Sequence, residues 1–272
     1  VADAASISLL QITDLHLLPA ADARLLGVDT AASLDAVLRC ALAERTPDAL
    51  LATGDLVHEP NSTAYARAHA VIARHYRGSM MWLAGNHDLG APLADARPPL
   101  DRLDIGDWSV IGIDTHVDEA NGGHVAATEL ARLRRELDAT RARFVIVAGH
   151  HPPCPLGMPW LDPDCIDNGA ELLALLDADA RVKAYVCGHV HQETATQHGR
   201  LAVYSTPSTC FQFVGRTPRF SVDETPPGWR WLDLAPDGTL ETRVGRATDF
   251  AITLDLASFR KKPPTQDATS LR

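Results

Sequence analysis

Five short polar motifs run along the chain in a fixed order: Asp14-x-His16, Gly54-Asp55, Gly85-Asn86-His87-Asp88, Gly149-His150-His151 and Gly188-His189-x-His191. Carboxylate, imidazole and amide groups of this kind bind hard or borderline divalent cations, and the set contains no thiolate. Donors from all five loops suffice to hold two cations side by side. Paired cations without redox ligands are hydrolytic equipment, above all for phosphate esters. In an extended chain residues i and i+2 point the same way, so Asp14 and His16 can meet one cation, as can His189 and His191. Asp55 can bridge two ions with its two oxygens, and Asn86 offers a neutral amide oxygen. A lone D-x-H or G-D is chance or capping. Asn-His-Asp in a row after a strand is more specific, and the complete ordered set is more specific still. The donor mix favours manganese, iron or zinc at a catalytic site over a sulfur-bound structural zinc.

Such motifs need rigid elements to bring them together. Apolar runs at Ile7–Ile12, Ala49–Ala52, Met80–Leu83, Trp108–Ile113, Phe144–Ala148 and Val182–Val186 read as buried strands. Helical spacing falls between them at Ala31–Glu44, with Thr30 as N-cap, and at Thr63–Tyr76, Thr128–Leu137 and Gly169–Leu176. Five of the strands end on a motif. Strands alternating with helices predict an α/β fold with a largely parallel sheet, whose ligands gather beyond the carboxyl ends of the strands. After His191 the pattern changes. Thr194–His198, Leu201–Ser205, Trp229–Leu234 and Leu240–Val244 read as antiparallel strands joined by turns.

The motifs span Asp14 to His191, so one domain over residues 1–258 is expected, followed by a flexible basic tail at 259–272. The formal net charge of −10 disfavours long nucleic acids and anionic membranes as partners. It leaves room for a small anionic substrate, because bound cations invert the local field. Five unclustered cysteines fit reduced thiols in a cytoplasmic protein. The N-terminal residues read as no signal peptide, and no apolar run approaches a membrane span.

The ordered motifs D-x-H, GD, GNHD, H and GHxH resemble those of the calcineurin-like metallophosphoesterases. Within that superfamily the chain is most similar to the class III cyclic-nucleotide phosphodiesterases. LLQITDLHL, LLGVDT, ATGDL, WLAGNHD, HHPPCPLGMPWLD, CGHVHQE, TPSTCFQF and PGWRWLDLAPDGTLETRV all carry the similarity, from about Leu10 to Val244. Nothing carries over to Leu89–Asp107. The resemblance implies a layered α/β/β/α sandwich and a two-metal site. Asp14, His16, Asp55 and His191 would hold one ion, and Asp55, Asn86, His150 and His189 the other. His150 is preferred to His151 as the ligand because it lies nearer the strand end.

The implied reaction is hydrolysis of 3′,5′-cyclic AMP, or another cyclic nucleotide, to the 5′-nucleotide. A hydroxide bridging the ions attacks phosphorus in line. Two divalent ions less two carboxylates and one hydroxide leave about +1, which matches a singly charged phosphodiester. His87 is left to meet the phosphate or to protonate the leaving oxygen, together with Asn86 and His151 as further substrate contacts. Asp88 either orients His87 or caps a turn. In the loop His151–Asn168, Trp160 can stack on a base while Asp162 and Asn168 read its edge, or the loop residues simply pack. Phe211 and Phe213 lie in Thr206–Phe213, which is core, pocket wall or homodimer contact. His58, His69, His75, His116, His124 and His198 match no motif and read as ordinary surface or helix residues. The alternative activity is that of a broader metallophosphoesterase acting on glycerophosphodiesters or 2′,3′-cyclic nucleotides.

Overall fold

The computed structural model describes residues 6–89, 92–93, 95 and 100–259. The tail expected to be flexible lies outside the described residues from position 260 on, as does part of the Leu89–Asp107 stretch. One sheet contains β1 (Ile7–Ile12), β2 (Ala49–Thr53) and β3 (Ser79–Leu83), which run parallel. It is completed by β12 (Gly228–Leu234), antiparallel to β1, and β13 (Leu240–Arg246), antiparallel to β12, in the order β13-β12-β1-β2-β3. The second sheet contains β4 (Arg102–Ile105), β5 (Trp108–Gly112), β6 (Phe144–Ala148), β7 (Val182–Cys187), β8 (Thr194–His198) and β9 (Leu201–Ser205). Its order is β4-β5-β6-β7-β9-β8. A short pair, β10 (Gln212–Phe213) and β11 (Val222–Asp223), stands apart.

Strand alternation builds the layers, because successive side chains point to opposite faces. On β1 and β2, Leu10, Leu50 and Ala52 face the helices α1 (Thr30–Glu44) and α2 (Ser62–His75), packing on Leu34, Leu38, Tyr65 and Ile72. On β6, Val145 and Val147 face α3 (Ala127–Ala139) and α4 (Gly169–Ala178), packing on Leu133 and Leu172. The remaining set, Leu9, Leu51, Met81, Val110, Ile146, Val186 and Leu232, fills the space between the sheets. The central strands are thus covered on both faces, and β2, β5 and β6 read as continuous apolar runs, whereas the edge strand β8 is largely exposed and the edge strand β13 partly so. The outcome is an α/β/β/α sandwich.

Three expectations are corrected. Asp29, not Thr30, caps α1, its carboxylate accepting from Ala32 N at 3.0 Å. Strand β9 pairs antiparallel with β8 as expected, but its other edge runs parallel to β7. The strands carrying the motifs also come from two sheets rather than from one sheet edge. The sheets are tied near the site by buried polar groups. Gln11 Nε2 donates to Thr53 Oγ1 and to Cys187 O, each at 3.0 Å, and Gln11 Oε1 accepts from Thr206 Oγ1 at 2.8 Å. These bonds register the end of β2 against the end of β7.

Candidate metal centre

The donors leave their strands through sharp bends. Asp14, His16, Asp55, His189 and His191 all have left-handed backbone, with φ of 52°, 47°, 50°, 67° and 46°. Each such non-glycine residue costs on the order of 1–3 kcal/mol, and strain of this kind gathers at functional sites. It also overturns the expectation that an extended chain aligns Asp14 with His16. The bends aim both side chains at one point: Asp14 Oδ1 lies 3.3 Å and His16 Nε2 3.2 Å from His191 Nε2. The loops are laced together beyond the strands, Asp14 N donating to Gly54 O at 3.0 Å and His16 N to Asp55 O at 2.9 Å. Gly54 (φ 94°) and Gly85 are required by close approach. A Cβ on Gly54 would sit 2.4 Å from His150 Nδ1, and one on Gly85 would sit 2.2 Å from Asp55 Oδ1.

The donors form two neighbouring groups. Asp14, His16 and His191 make one; His150 and His189 meet at Asn86 to make the other, with His151 alongside them, and Asp14, Asp55 and His150 also converge between the two. Asp55 reaches both: its Oδ2 lies 3.6 Å from His16 Nε2, and its Oδ1 lies 3.5 Å from His150 Nε2. Asn86 Oδ1 lies 3.1 Å from both His150 Nε2 and His189 Nδ1.

Hydrogen bonding fixes which ring nitrogens face inward. His150 Nδ1 bonds Thr53 O and His191 Nδ1 bonds Phe211 O, each at 2.8 Å. A carbonyl only accepts, so both Nδ1 atoms carry hydrogen, and each neutral ring turns a lone pair at Nε2 toward the other donors. His16 has a buried Nδ1 without a hydrogen-bond partner, and His189 a buried Nε2 in the same condition. Converging lone pairs are unfavourable by themselves, and cations between the donors relieve them. The residues therefore fit a pair of divalent ions.

The electrostatics agree. Burial and the neighbouring His87 and His191 hold His16 well below the ordinary histidine range. Burial with His151 and His150 does the same to His189. Both rings are thus kept neutral, the form that ligates metal. Burial opposes ionisation of Asp14, but His191, His150 and Thr13 outweigh it and hold its carboxyl below the usual range. Burial likewise opposes a charge on His150, yet Asp55 and Asp14 raise it above its ordinary value.

The other expected site residues divide. His87 sits beside the first group, its ring 4.9 Å from that of His16. Its backbone N donates to Asp55 Oδ1 at 2.9 Å, and its Nδ1 bonds His58 O at 3.0 Å. His151 is fully buried, with Nε2 on Asn121 O at 3.0 Å and Nδ1 on Thr115 Oγ1 at 2.7 Å. Both of its nitrogens are engaged, whereas His150 Nε2 faces Asp55 and Asn86. Asp88 does not orient the His87 ring. It accepts from Gly85 N at 2.9 Å, Tyr65 Oη at 3.0 Å and Leu56 N at 3.1 Å, pinning the Asn86 loop to the Asp55 loop. Burial and the charge of Asp55 push its carboxyl up to about 6.

The base-reading expectation fares less well. Asp162 accepts from Leu156 N and Met158 N at 2.8 and 3.0 Å, closing its own loop. Asn168 makes a two-point bond to Val125 N and O at 3.0 and 2.9 Å. Trp160 meets Phe213 and Phe220 edge-on, at 5.0 and 5.4 Å. Phe213 in turn stacks on His191 at 4.1 Å, so Phe211 and Phe213 wall the first group rather than only filling core. Sequence reading missed two histidines. His116 Nδ1 bonds Gly85 O at 3.0 Å. His58 groups with His16 and His87. The one available signal for His58 was its position three residues after Asp55, on the same loop.

No helix among the described residues is long and apolar enough to cross a membrane. The chain is 38% identical over 262 residues to the 3′,5′-cyclic adenosine monophosphate phosphodiesterase CpdA of Pseudomonas aeruginosa, covering 94% of this chain and 96% of that one. It is 37% identical over 265 residues to the CpdA of Escherichia coli K12, covering 95% and 96%. A dimetal phosphatase from Danio rerio has the same fold, with a TM-score of 0.61, 13% identity and coverage of 89% of this chain and 99% of that one. The pattern of the calcineurin-like phosphoesterases matches residues 7–193, the span that supplies every donor described above, and the chain belongs to that family.

Proposed function

We propose that this chain is a metal-dependent phosphodiesterase that opens 3′,5′-cyclic AMP to the 5′-nucleotide. The observation that carries the reading is Asp55, with one oxygen toward each of two donor groups and its Oδ1 also holding the backbone of His87. Relatives named as cyclic AMP phosphodiesterases, similar over nearly the whole chain, support the substrate. Asp14, His16, Asp55 and His191 would hold one ion, and Asp55, Asn86, His150 and His189 the other, within one domain over residues 1–258. A divalent pair bound there supplies a water nucleophile at neutral pH and neutralises phosphate charge. Manganese or iron is the expected native pair, with zinc a substitute.

The chain's own residues do the remaining work. Thr53 O and Phe211 O hold His150 and His191 in the tautomer that ligates through Nε2. His58 O holds His87 Nδ1–H, so His87 Nε2 faces the site, and in the imidazolium form it donates to a phosphate oxygen or protonates the departing 3′ oxygen. The polar groups of Asp162 and Asn168 are engaged within the protein, so the base is held by shape and by the aromatic group around Trp160. A site without polar base readout discriminates weakly, so cyclic GMP should follow cyclic AMP within about 100-fold in kcat/KM. The five free cysteines fit a reducing, cytoplasmic setting.

The test is turnover by metal-reconstituted protein, with metal content measured, on cyclic AMP, cyclic GMP, 2′,3′-cyclic nucleotides, glycerophosphodiesters and p-nitrophenyl esters. Cyclic AMP left intact while other esters are cleaved would sink the substrate assignment.

A further inference from the structure

His58 lies beside the donor cluster, half-buried, and its main chain is hydrogen-bonded on both sides. Its N–H donates to Leu17 O at 3.1 Å, and its carbonyl holds His87 Nδ1 at 3.0 Å. The His58 ring lies over the His87 ring, centroids 4.8 Å apart and planes 24° apart. It meets His16 edge-on at 5.6 Å. Ring nitrogens of His16, His58 and His87 all fall within 4.8 Å of one another. A third cation among these rings would compete for His16, whose Nε2 already faces His191 and Asp55. An anion needs no lone pair from His16. Two nearly parallel imidazoles whose nitrogens come this close can donate to two oxygens of one tetrahedral phosphate.

We infer that His58 is a further substrate-contacting residue, which clamps the phosphate group together with His87. The inference rests on the phosphoester reading of the site and adds a second imidazole to it. His58 acts on non-bridging oxygens, so it contributes binding to substrate and product phosphate alike. Its loss should raise KM more than it lowers kcat, the mark of uniform binding.

The experiment compares metal-loaded wild type with His58→Ala, His58→Phe and His58→Asn. Inorganic phosphate affinity is measured by calorimetry, alongside metal content and cyclic AMP kinetics. Removing one charge-assisted hydrogen bond should weaken phosphate binding about tenfold in the Ala and Phe variants. Asn keeps an N–H donor and should recover most of that loss, while metal content stays at the wild-type level throughout. Phosphate binding by His58→Phe equal to wild type would reduce the ring to packing and overturn the inference. Loss of an ion from His58→Ala would overturn it by making His58 a ligand. Wild type inert toward cyclic AMP, with the phosphate pattern intact, would end the cyclic AMP assignment and leave the role of His58 standing.

Discussion

His150 and Asn86 face each other as two acceptors. His150 Nε2 lies 3.1 Å from Asn86 Oδ1, while His150 Nδ1 is committed to Thr53 O. Neutral imidazole and amide oxygen repel at that separation unless a cation, or a proton on His150 Nε2, lies between them, and the metal ion supplies that charge in the loaded site. Removing metal should therefore destabilise the fold as well as stop turnover. At free metal near 100 times the dissociation constant, each ion bound adds about 2.7 kcal/mol. For a chain of this size that is a rise in Tm of roughly 5–10 °C. Thermal melts of chelator-treated protein, before and after manganese is restored, measure it. A Tm indifferent to metal would contradict this placement of the donors.

The neighbouring histidines should behave differently. His150→Ala removes an inward lone pair, so metal content should fall by about one ion per chain, with turnover lost. His151→Ala removes two internal bonds, to Thr115 Oγ1 and Asn121 O, and should lower stability by about 2–4 kcal/mol while both ions remain. Metal analysis with urea unfolding separates the two variants. The opposite pattern would exchange their roles.

Asp88 joins two loops rather than steering His87. Asp88→Asn places an NH2 group among the donors Gly85 N, Leu56 N and Tyr65 Oη. At least one buried donor then lacks an acceptor, which costs about 1–3 kcal/mol. Stability and metal affinity should fall together. Unchanged metal affinity and Tm, with turnover alone lost, would restore Asp88 to a direct part in the chemistry.

Far from the site, Asp179 offers a pH signature. The Arg181 guanidinium, at 2.6 Å, holds its carboxyl below the usual range. A depressed folded pKa contributes stability that is fully present above about pH 4, the unfolded value, and is lost as pH falls through the folded one. Arg181 also donates to Leu137 O and Thr140 O, so the pair ties the end of α3 to the start of β7. The pair is partly exposed, so Asp179→Asn should cost about 1 kcal/mol or less at pH 7. Urea unfolding of both proteins should show that gap closing as pH falls from 5 toward 3. A gap independent of pH would remove the electrostatic explanation.

Much of this arrangement was legible because it is written locally. Apolar runs such as Phe144–Ala148 mark buried strands, and ligand residues sit at their ends. The paired sheets were not legible from periodicity alone, since a strand covered by helices and one covered by a second sheet have the same apolar pattern. The bends at Asp14 and His191 were invisible as well, because left-handed backbone at a non-glycine residue has no compositional mark. Asp162 and Asn168 looked available for substrate because polar loop residues are chemically ambiguous. Their partners are main-chain groups at Leu156, Met158 and Val125, and main-chain partners leave no trace in a sequence. His58 was hidden for a related reason: it reaches the site through the placement of Val57 beside Leu17.

His87 is the residue whose loss should separate binding of metal from chemistry. Its backbone N–H holds Asp55 Oδ1, and that bond survives any side-chain substitution other than proline. Asp55 should therefore keep its position in His87→Ala, and both ions should stay bound. The ring supplies a donor beside the donor groups, a role worth typically 10²–10⁴-fold as general acid or charge stabiliser. Turnover of cyclic AMP should drop by about that factor, with metal content and Tm near wild type. A substrate whose leaving group needs no proton, such as bis(p-nitrophenyl) phosphate, should suffer less if His87 is the acid and equally if it stabilises phosphate charge. Loss of an ion from this variant would mean that the ring, and not only the backbone, belongs to the metal cage.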